Sequence, residues 1–178
     1  MKKRIIALGL LWCLSAVMLQ AARVDTVLVR SAAMNKDVKV VYVLPDKAIG
    51  KQACPVVYLL HGYGGNARSW VQLKPELPQM ADEKGIIFVC PDGKNSWFWD
   101  SPENPAYRYE TFVTSELVKY TDGNYATIPD RKARAISGLS MGGHGALWSA
   151  IRHKDVVGAA GRMRGGVEGK GAARWRPS

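Results

Sequence analysis

Residues 136–145 read Ile136, Ser137, Gly138, Leu139, Ser140, Met141, Gly142, Gly143, His144, Gly145, a G-x-S-x-G turn with a short β-branched run before it and helix formers after it. Such a corner holds its serine in a strained conformation, and a side chain at 138 or 142 would collide across the turn. A chain carrying it has to supply a parallel strand, a tight corner and a helix, in that order. It also presents the Ser140 hydroxyl for nucleophilic chemistry, with the Met141 N–H pointing toward the same space.

The strands around the corner fit that demand. Val24 to Val29 and Val38 to Val43 are β-branched runs that suit an antiparallel pair. Pro55 to Leu60 and Ile86 to Val89 are continuously apolar, the pattern of parallel strands covered on both faces. Leu77, Met80 and Ala81 predict a short helix stopping at Gly85, and Tyr109, Val113, Leu117 and Tyr120 predict an amphipathic helix over 109–120, ending before Asp122 and Gly123. Ala133 to Ser137 leads into the serine corner, Met141 to His153 follows it, and Val156 to Ala160 reads as one more strand. The expected architecture is α/β, a mostly parallel sheet with helices on both faces.

Both ends differ in composition from this middle. Lys2, Lys3 and Arg4 precede an uncharged apolar run from Ile5 to Leu19, then Gln20, Ala21 and Ala22. The run is shorter than the ~20 residues that span a bilayer, so residues 1–22 are expected to be a secretory signal peptide rather than a stable membrane anchor, and the protein secreted or periplasmic. From Gly161 to Ser178, glycines alternate with Arg162, Arg164, Lys170, Arg174 and Arg176. This stretch is read either as a flexible, disordered basic tail or as an out-of-frame or artificially ended coding sequence. The domain itself is assigned to 23–160. Of the formal charge of +10, the two ends carry +3 and +4, which leaves +3 interspersed with acidic residues in between. That distribution argues against nucleic-acid binding.

Cys54 starts one strand and Cys90 ends another, so parallel neighbours would hold their sulfurs too far apart to bridge; two inert buried thiols are expected. His61, His144 and His153 do not combine with these cysteines in metal-ligand spacing, and neither a metal nor another cofactor is expected.

Two further loops belong with the serine. His61, Gly62, Tyr63, Gly64 and Gly65 follow a parallel strand, where the Tyr63 N–H can meet a substrate oxygen opposite Met141; His61 reads as a loop-ordering residue in preference to a base. Pro91 to Pro102 contains Trp97, Phe98, Trp99 and Asp100 at the ligand-binding edge of the sheet. These aromatics suit a sugar or aryl group stacking on them, with ordinary loop packing as the plain alternative.

Asp92, Asn95, Ser96, Trp97, Asp100, Ser101 and Pro102, then Tyr109, Glu110, Thr111 and Phe112, then Arg134 to Gly143 carry a resemblance. Over residues 30–160 the chain resembles the α/β-hydrolase esterases that include esterase D, tributyrin and acetyl-xylan esterases, feruloyl esterases and mycolyltransferases. The resemblance implies a Ser-Asp-His triad acting on carboxylic esters through an acyl-enzyme, with Ser140 as nucleophile, Tyr63 and Met141 as oxyanion donors, and Trp97, Trp99 and Asp100 against a small-molecule or carbohydrate ester. Family members continue through further strand and helix units that bring the acid and the histidine after the serine. Here no histidine follows His153. The expectation is therefore an exported serine carboxylesterase lacking the C-terminal units and impaired by the missing triad partners. A non-catalytic carbohydrate-binding remnant and an acyltransferase of the same fold are the alternatives.

Overall fold

The computed structural model describes residues 22–163. The leader reading and most of the basic-tail reading lie outside the described residues. Strand β1 (Arg23–Ser31) turns through Ala32 to Asn35 into β2 (Lys36–Leu44), the antiparallel pair the β-branched runs predict, in register from Arg23↔Leu44 to Ser31↔Lys36. A one-turn helix α1 (Asp46–Ile49), opened by Pro45, leads to β3 (Val56–Leu60). Helices α2 (Ser69–Leu73) and α3 (Leu77–Lys84) return to β4 (Ile87–Pro91). Gly85 closes α3 at φ 63, the left-handed conformation that a glycine adopts without strain.

A long loop then reaches α4 (Tyr109–Thr111), a π-helical turn (Phe112–Glu116) and α5 (Leu117–Asn124), followed by β5 (Arg134–Leu139), α6 (Met141–Arg152) and β6 (Ala159–Met163). The strand order is β1-β2-β4-β3-β5-β6; β2 meets β4 antiparallel and β4, β3, β5 and β6 are mutually parallel.

Alternation along β2 divides the core. Val40, Tyr42 and Leu44 join Tyr58, Leu60, Ile87 and Ile136 on one face, covered by Phe98 from the loop after β4 and by Phe112, Leu117, Met141 and Ala146 from the 109–124 segment and α6. Val41 and Val43 join Leu59, Phe88 and Cys90 on the other face, covered by Trp70, Leu77 and Ala81 from α2 and α3. The central strands are thus buried from both sides, which is why β3 and β4 read as unbroken apolar runs. Cys54, just before β3, and Cys90, near the carboxyl end of the parallel β4, are buried and unbridged, and burial raises both thiol pKa values.

Two predicted elements move. The helix expected to stop before Asp122 runs on to Asn124, because Asp122 faces inward, accepting from Arg134 Nη2 at 2.6 Å and from Thr127 Oγ1 at 2.7 Å. Its middle widens into the π turn, where Thr114 Oγ1 donates to the Glu110 carbonyl at 2.7 Å. The last strand is not Val156 to Ala160 but Ala159–Met163. Val156 and Val157 sit in the turn after α6, and the pairing residues are the small Ala159, Ala160 and Gly161 opposite Ala135, Ile136 and Ser137. Folded structure therefore extends past the boundary drawn at residue 160.

Candidate active site at the strand β5 to helix α6 corner

Ser140 sits between β5 and α6 with φ 51 and ψ −110, and it is exposed. A non-glycine residue with such dihedrals costs on the order of 1–3 kcal/mol and survives only where its surroundings impose it. The surroundings are visible. A Cβ on Gly138 would lie 2.2 Å from the Gly142 carbonyl carbon, and one on Gly142 would lie 2.2 Å from the Leu60 carbonyl oxygen. The corner is thus wedged against the carboxyl end of β3, where Leu60 pairs with Gly138. Met141 opens α6, where the first N–H groups have no acceptor within the helix. On the remaining side Ser140 N–H donates to the Met163 carbonyl at 3.2 Å, and Arg162 packs beside Gly143. Arg162 and Met163 bound the corner although the sequence reading placed them in the tail; strand-forming signal is weak in a run of alanine, glycine and arginine.

The loop after β3 and the loop after β4 are tied together twice. His61, 1% exposed, donates from Nδ1 to the Gly62 carbonyl at 2.7 Å and accepts the Gly93 N–H on Nε2 at 2.9 Å. Both ring nitrogens are thereby used, and the Asp92 carboxylate 3.7 Å away is outside hydrogen-bonding distance. His61 orders the loops, as its position in the glycine-rich segment suggests. Asn95 Oδ1 accepts the Gly64 N–H at 2.8 Å, fixing the peptide after the exposed Tyr63. Burial works against ionisation of Asp92, but the adjacent His61 ring and Lys94, the latter donating from its backbone N–H at 2.9 Å and its ammonium at 2.8 Å, prevail and hold the carboxyl well below its usual range.

Chain comparison places this corner in a known context: the Esterase family model matches residues 31–176. The chain belongs to the Esterase family. It is 28% identical over 137 residues to an acetyl esterase of Caldicellulosiruptor saccharolyticus, covering 72% of this chain and 51% of that one. It is 33% identical over 150 residues to a diacylglycerol acyltransferase/mycolyltransferase of Mycobacterium gordonae, covering 79% and 42%. The solved structure of a ferulic acid esterase superposes with a TM-score of 0.69 at 29% identity, covering 79% of this chain and 59% of that one. The chain spans about half the length of the curated relatives it matches. Its six-stranded mixed sheet is the α/β-hydrolase fold of these esterases.

In this Esterase-family chain the aromatic loop is built around one anchor. Phe98 is fully buried in two notches that only glycine leaves open: a Cβ on Gly93 would lie 2.2 Å from its ring, and one on Gly145 would lie 2.7 Å from its Cβ. Trp97 and Phe98 both have positive φ, 57 and 58, so the chain reverses and leaves Trp97 and Trp99 standing out, 46% and 42% exposed. The exposed His144 lies within 5.7 Å of the Trp97 ring centre and 5.3 Å of that of Trp99, and Trp99 meets Trp148 at 5.1 Å. His144 follows Ser140 by about one helical turn and Trp148 by about two.

Asp100 faces the other way. Its two oxygens accept from Thr111, at 3.0 Å from the N–H and 2.5 Å from the hydroxyl, which fixes the first turn of the 109–124 segment. Glu110, 7% exposed, accepts from Trp148 Nε1 at 2.8 Å, Arg152 Nε at 2.7 Å and His153 Nε2 at 2.8 Å. Burial opposes its charge, yet these three donors keep its pKa below the ordinary value. The roles of Asn95, Glu110 and His144 depend on partners 31 to 47 positions away, which no local pattern displays. Among the described residues no cluster of His, Cys, Asp and Glu could hold a metal ion.

Proposed function

We propose that this chain is the nucleophile-bearing part of a serine ester hydrolase. The observation that carries the reading is the exposed Ser140 at φ 51, locked by Gly138 and Gly142 between a parallel strand and a helix in a chain of the Esterase family. In this reading Ser140 Oγ bonds to the acyl carbon, the carbonyl oxygen becomes an oxyanion held by the Met141 and Tyr63 N–H groups, and the ester C–O bond breaks to release the alcohol. Water then cleaves the acyl-enzyme. A base must take the serine proton and return it to the leaving alcohol.

Trp97 and Trp99 hold the substrate, which the names of the relatives suggest is an acetyl or feruloyl ester, and Asp100 supports that loop through Thr111. Similarity to a mycolyltransferase favours, as a second reading, an alcohol in place of water as the final acceptor. Adding a simple alcohol and measuring ester formation against hydrolysis separates the two. The charged start and apolar run of residues 2–22 support export, which the mass of the mature amino terminus tests.

The main experiment joins the carboxyl-terminal half of the Caldicellulosiruptor acetyl esterase after residue 163 and measures hydrolysis of p-nitrophenyl acetate. Activity is expected, and Ser140→Ala should lower kcat by at least ~10³-fold. Hydrolysis that survives the substitution overturns the assignment of Ser140.

A further inference from the structure

The glycine-rich loop after β3 folds into a tight turn whose middle peptide is held by a side chain from another loop. Gly65 N–H donates to the Gly62 carbonyl at 3.0 Å, which closes a β-turn with Tyr63 and Gly64 at its centre. Gly64 has φ 75, whereas φ of Tyr63 is negative. Positive φ at the second central position alone marks a type II turn, in which the peptide between the central residues is turned over relative to type I. The N–H of that peptide, on Gly64, donates to Asn95 Oδ1 at 2.8 Å. In type I the Tyr63 carbonyl would point there instead, oxygen against oxygen.

Asn95 is itself held in place. It follows Lys94, which has φ 50 and donates its N–H to Asp92 Oδ1 at 2.9 Å. The Ser96 N–H donates to the Gly93 carbonyl at 3.3 Å, and the Gly93 N–H to His61 Nε2 at 2.9 Å. On the turn itself, a Cβ at Gly65 would lie 2.9 Å from His61 Nδ1 and 2.8 Å from Ser69 Oγ. His61 and Ser69 thus clamp the base of the turn, and Asn95 clamps its tip.

The turn also abuts the serine corner. A Cβ on Gly142 would lie 2.2 Å from the Leu60 carbonyl oxygen and 2.6 Å from that of His61, and one on Gly62 would lie 3.5 Å from the Leu139 carbonyl oxygen. Leu139 and Gly142 bracket Ser140 and Met141 in the chain. Among the described residues the Tyr63 N–H has no acceptor, so it is free to meet a substrate oxygen. The neighbouring Gly64 N–H is not free, because Asn95 takes it.

We propose that Asn95 is a positioning residue for the oxyanion pocket, holding the 62–65 turn in its type II form with the Tyr63 N–H toward the reacting oxygen. This deepens, and rests on, the reading of Ser140 as an ester-cleaving serine. One oxyanion donor is worth ~10²–10³ in rate, so a small rotation of this turn costs the transition state far more than it costs the fold.

Phenylboronic acid tests this in the full chain without turnover. Its boron adds to Ser140 Oγ as the hydroxyl proton passes to water, giving a tetrahedral anion whose oxygen occupies the pocket as the oxyanion would. Titration followed by boron NMR should show a saturable tetrahedral adduct in the wild type, which Ser140→Ala abolishes. Asn95→Ala should weaken it at least about tenfold. Asn95→Asp keeps an acceptor for the Gly64 N–H and should bind at least about threefold tighter than Asn95→Ala. In the wild type, the Gly64 amide should exchange with deuterium at least about tenfold more slowly than the Tyr63 amide, a check that needs no variant. Circular dichroism of each variant checks the fold. Equal affinity of Asn95→Ala and wild type overturns the proposal. So does an Asn95→Asp variant no tighter than the alanine one, or a Gly64 amide that exchanges as fast as that of Tyr63. A wild type that forms no adduct, or an adduct that survives Ser140→Ala, overturns the reading of Ser140 and the proposal with it.

Discussion

At the scale of single residues, Ser140 shows how a functional group is held at a cost to the fold. Its φ of 51 is imposed by backbone contacts through Gly138 and Gly142 and not by its own side chain, so removing the hydroxyl does not remove the strain. Ser140→Ala keeps a Cβ in the same forbidden region, whereas Ser140→Gly relieves it. Glycine also gives the unfolded chain more freedom, which offsets part of the gain by about 0.5–1 kcal/mol. The expected outcome is that Ser140→Gly is more stable than Ser140→Ala by roughly 1 kcal/mol in urea unfolding. An alanine variant at least as stable as the glycine variant would show that the corner carries no strain. The sequence discloses this residue because the glycine spacing is itself the steric solution. It discloses His61 for the same reason, since an imidazole inside a glycine-rich loop has backbone groups on every side. Asp100 and Glu110 were visible only as motif members; what they bond to depends on the folded arrangement of the loop and α6.

At the scale of elements, the antiparallel β1–β2 pair, β3, β4, α3 and α6 were legible because apolar periodicity and glycine stops act locally. The extent of α5 and the position of β6 were not. Asp122 reads as a helix stop until Arg134 is placed beside it, and Ala159 to Met163 have no strand propensity until β5 offers an edge. The joint between the 109–124 segment and α6 is equally non-local and rests on Glu110. Because the folded carboxyl titrates below its unfolded value of about 4.3, the unfolded chain takes up protons first as pH falls. The contribution is full above the unfolded pKa and disappears as pH drops through the folded one. Glu110→Gln is expected to cost about 1–3 kcal/mol at pH 7, since three donors lose a charged acceptor. That difference from wild type should shrink as pH falls below the unfolded value and through the lower folded one, where wild-type Glu110 itself becomes protonated. Urea unfolding of both proteins at pH 7 and pH 3 measures it, and a gap that stays constant with pH would assign the cost to packing alone.

At the scale of the whole molecule, the question is which group could receive the proton of Ser140. His61 spends both nitrogens on Gly62 and Gly93, His153 is bound to Glu110, and His144 stands between Trp97 and Trp99. Among the described residues none of the three is hydrogen-bonded to Ser140. The sheet and its loops thus assemble a strained serine, two candidate oxyanion donors and an aromatic surface. The 178-residue polypeptide is expected to hydrolyse p-nitrophenyl acetate at least ~10³-fold more slowly than the joined protein described above, because a serine with no imidazole hydrogen-bonded to it keeps only the contribution of the oxyanion pocket and binding. Raising the pH should recover part of the rate, since hydroxide can take the proton that no imidazole does. A histidine acting as base would instead give a rate that levels off above its own pKa, near 6.5 when unperturbed. The pH–rate profile of the 178-residue polypeptide decides between them: a plateau from about pH 7.5 upward, abolished by His144→Gln, would make His144 the base and refute this account of the site.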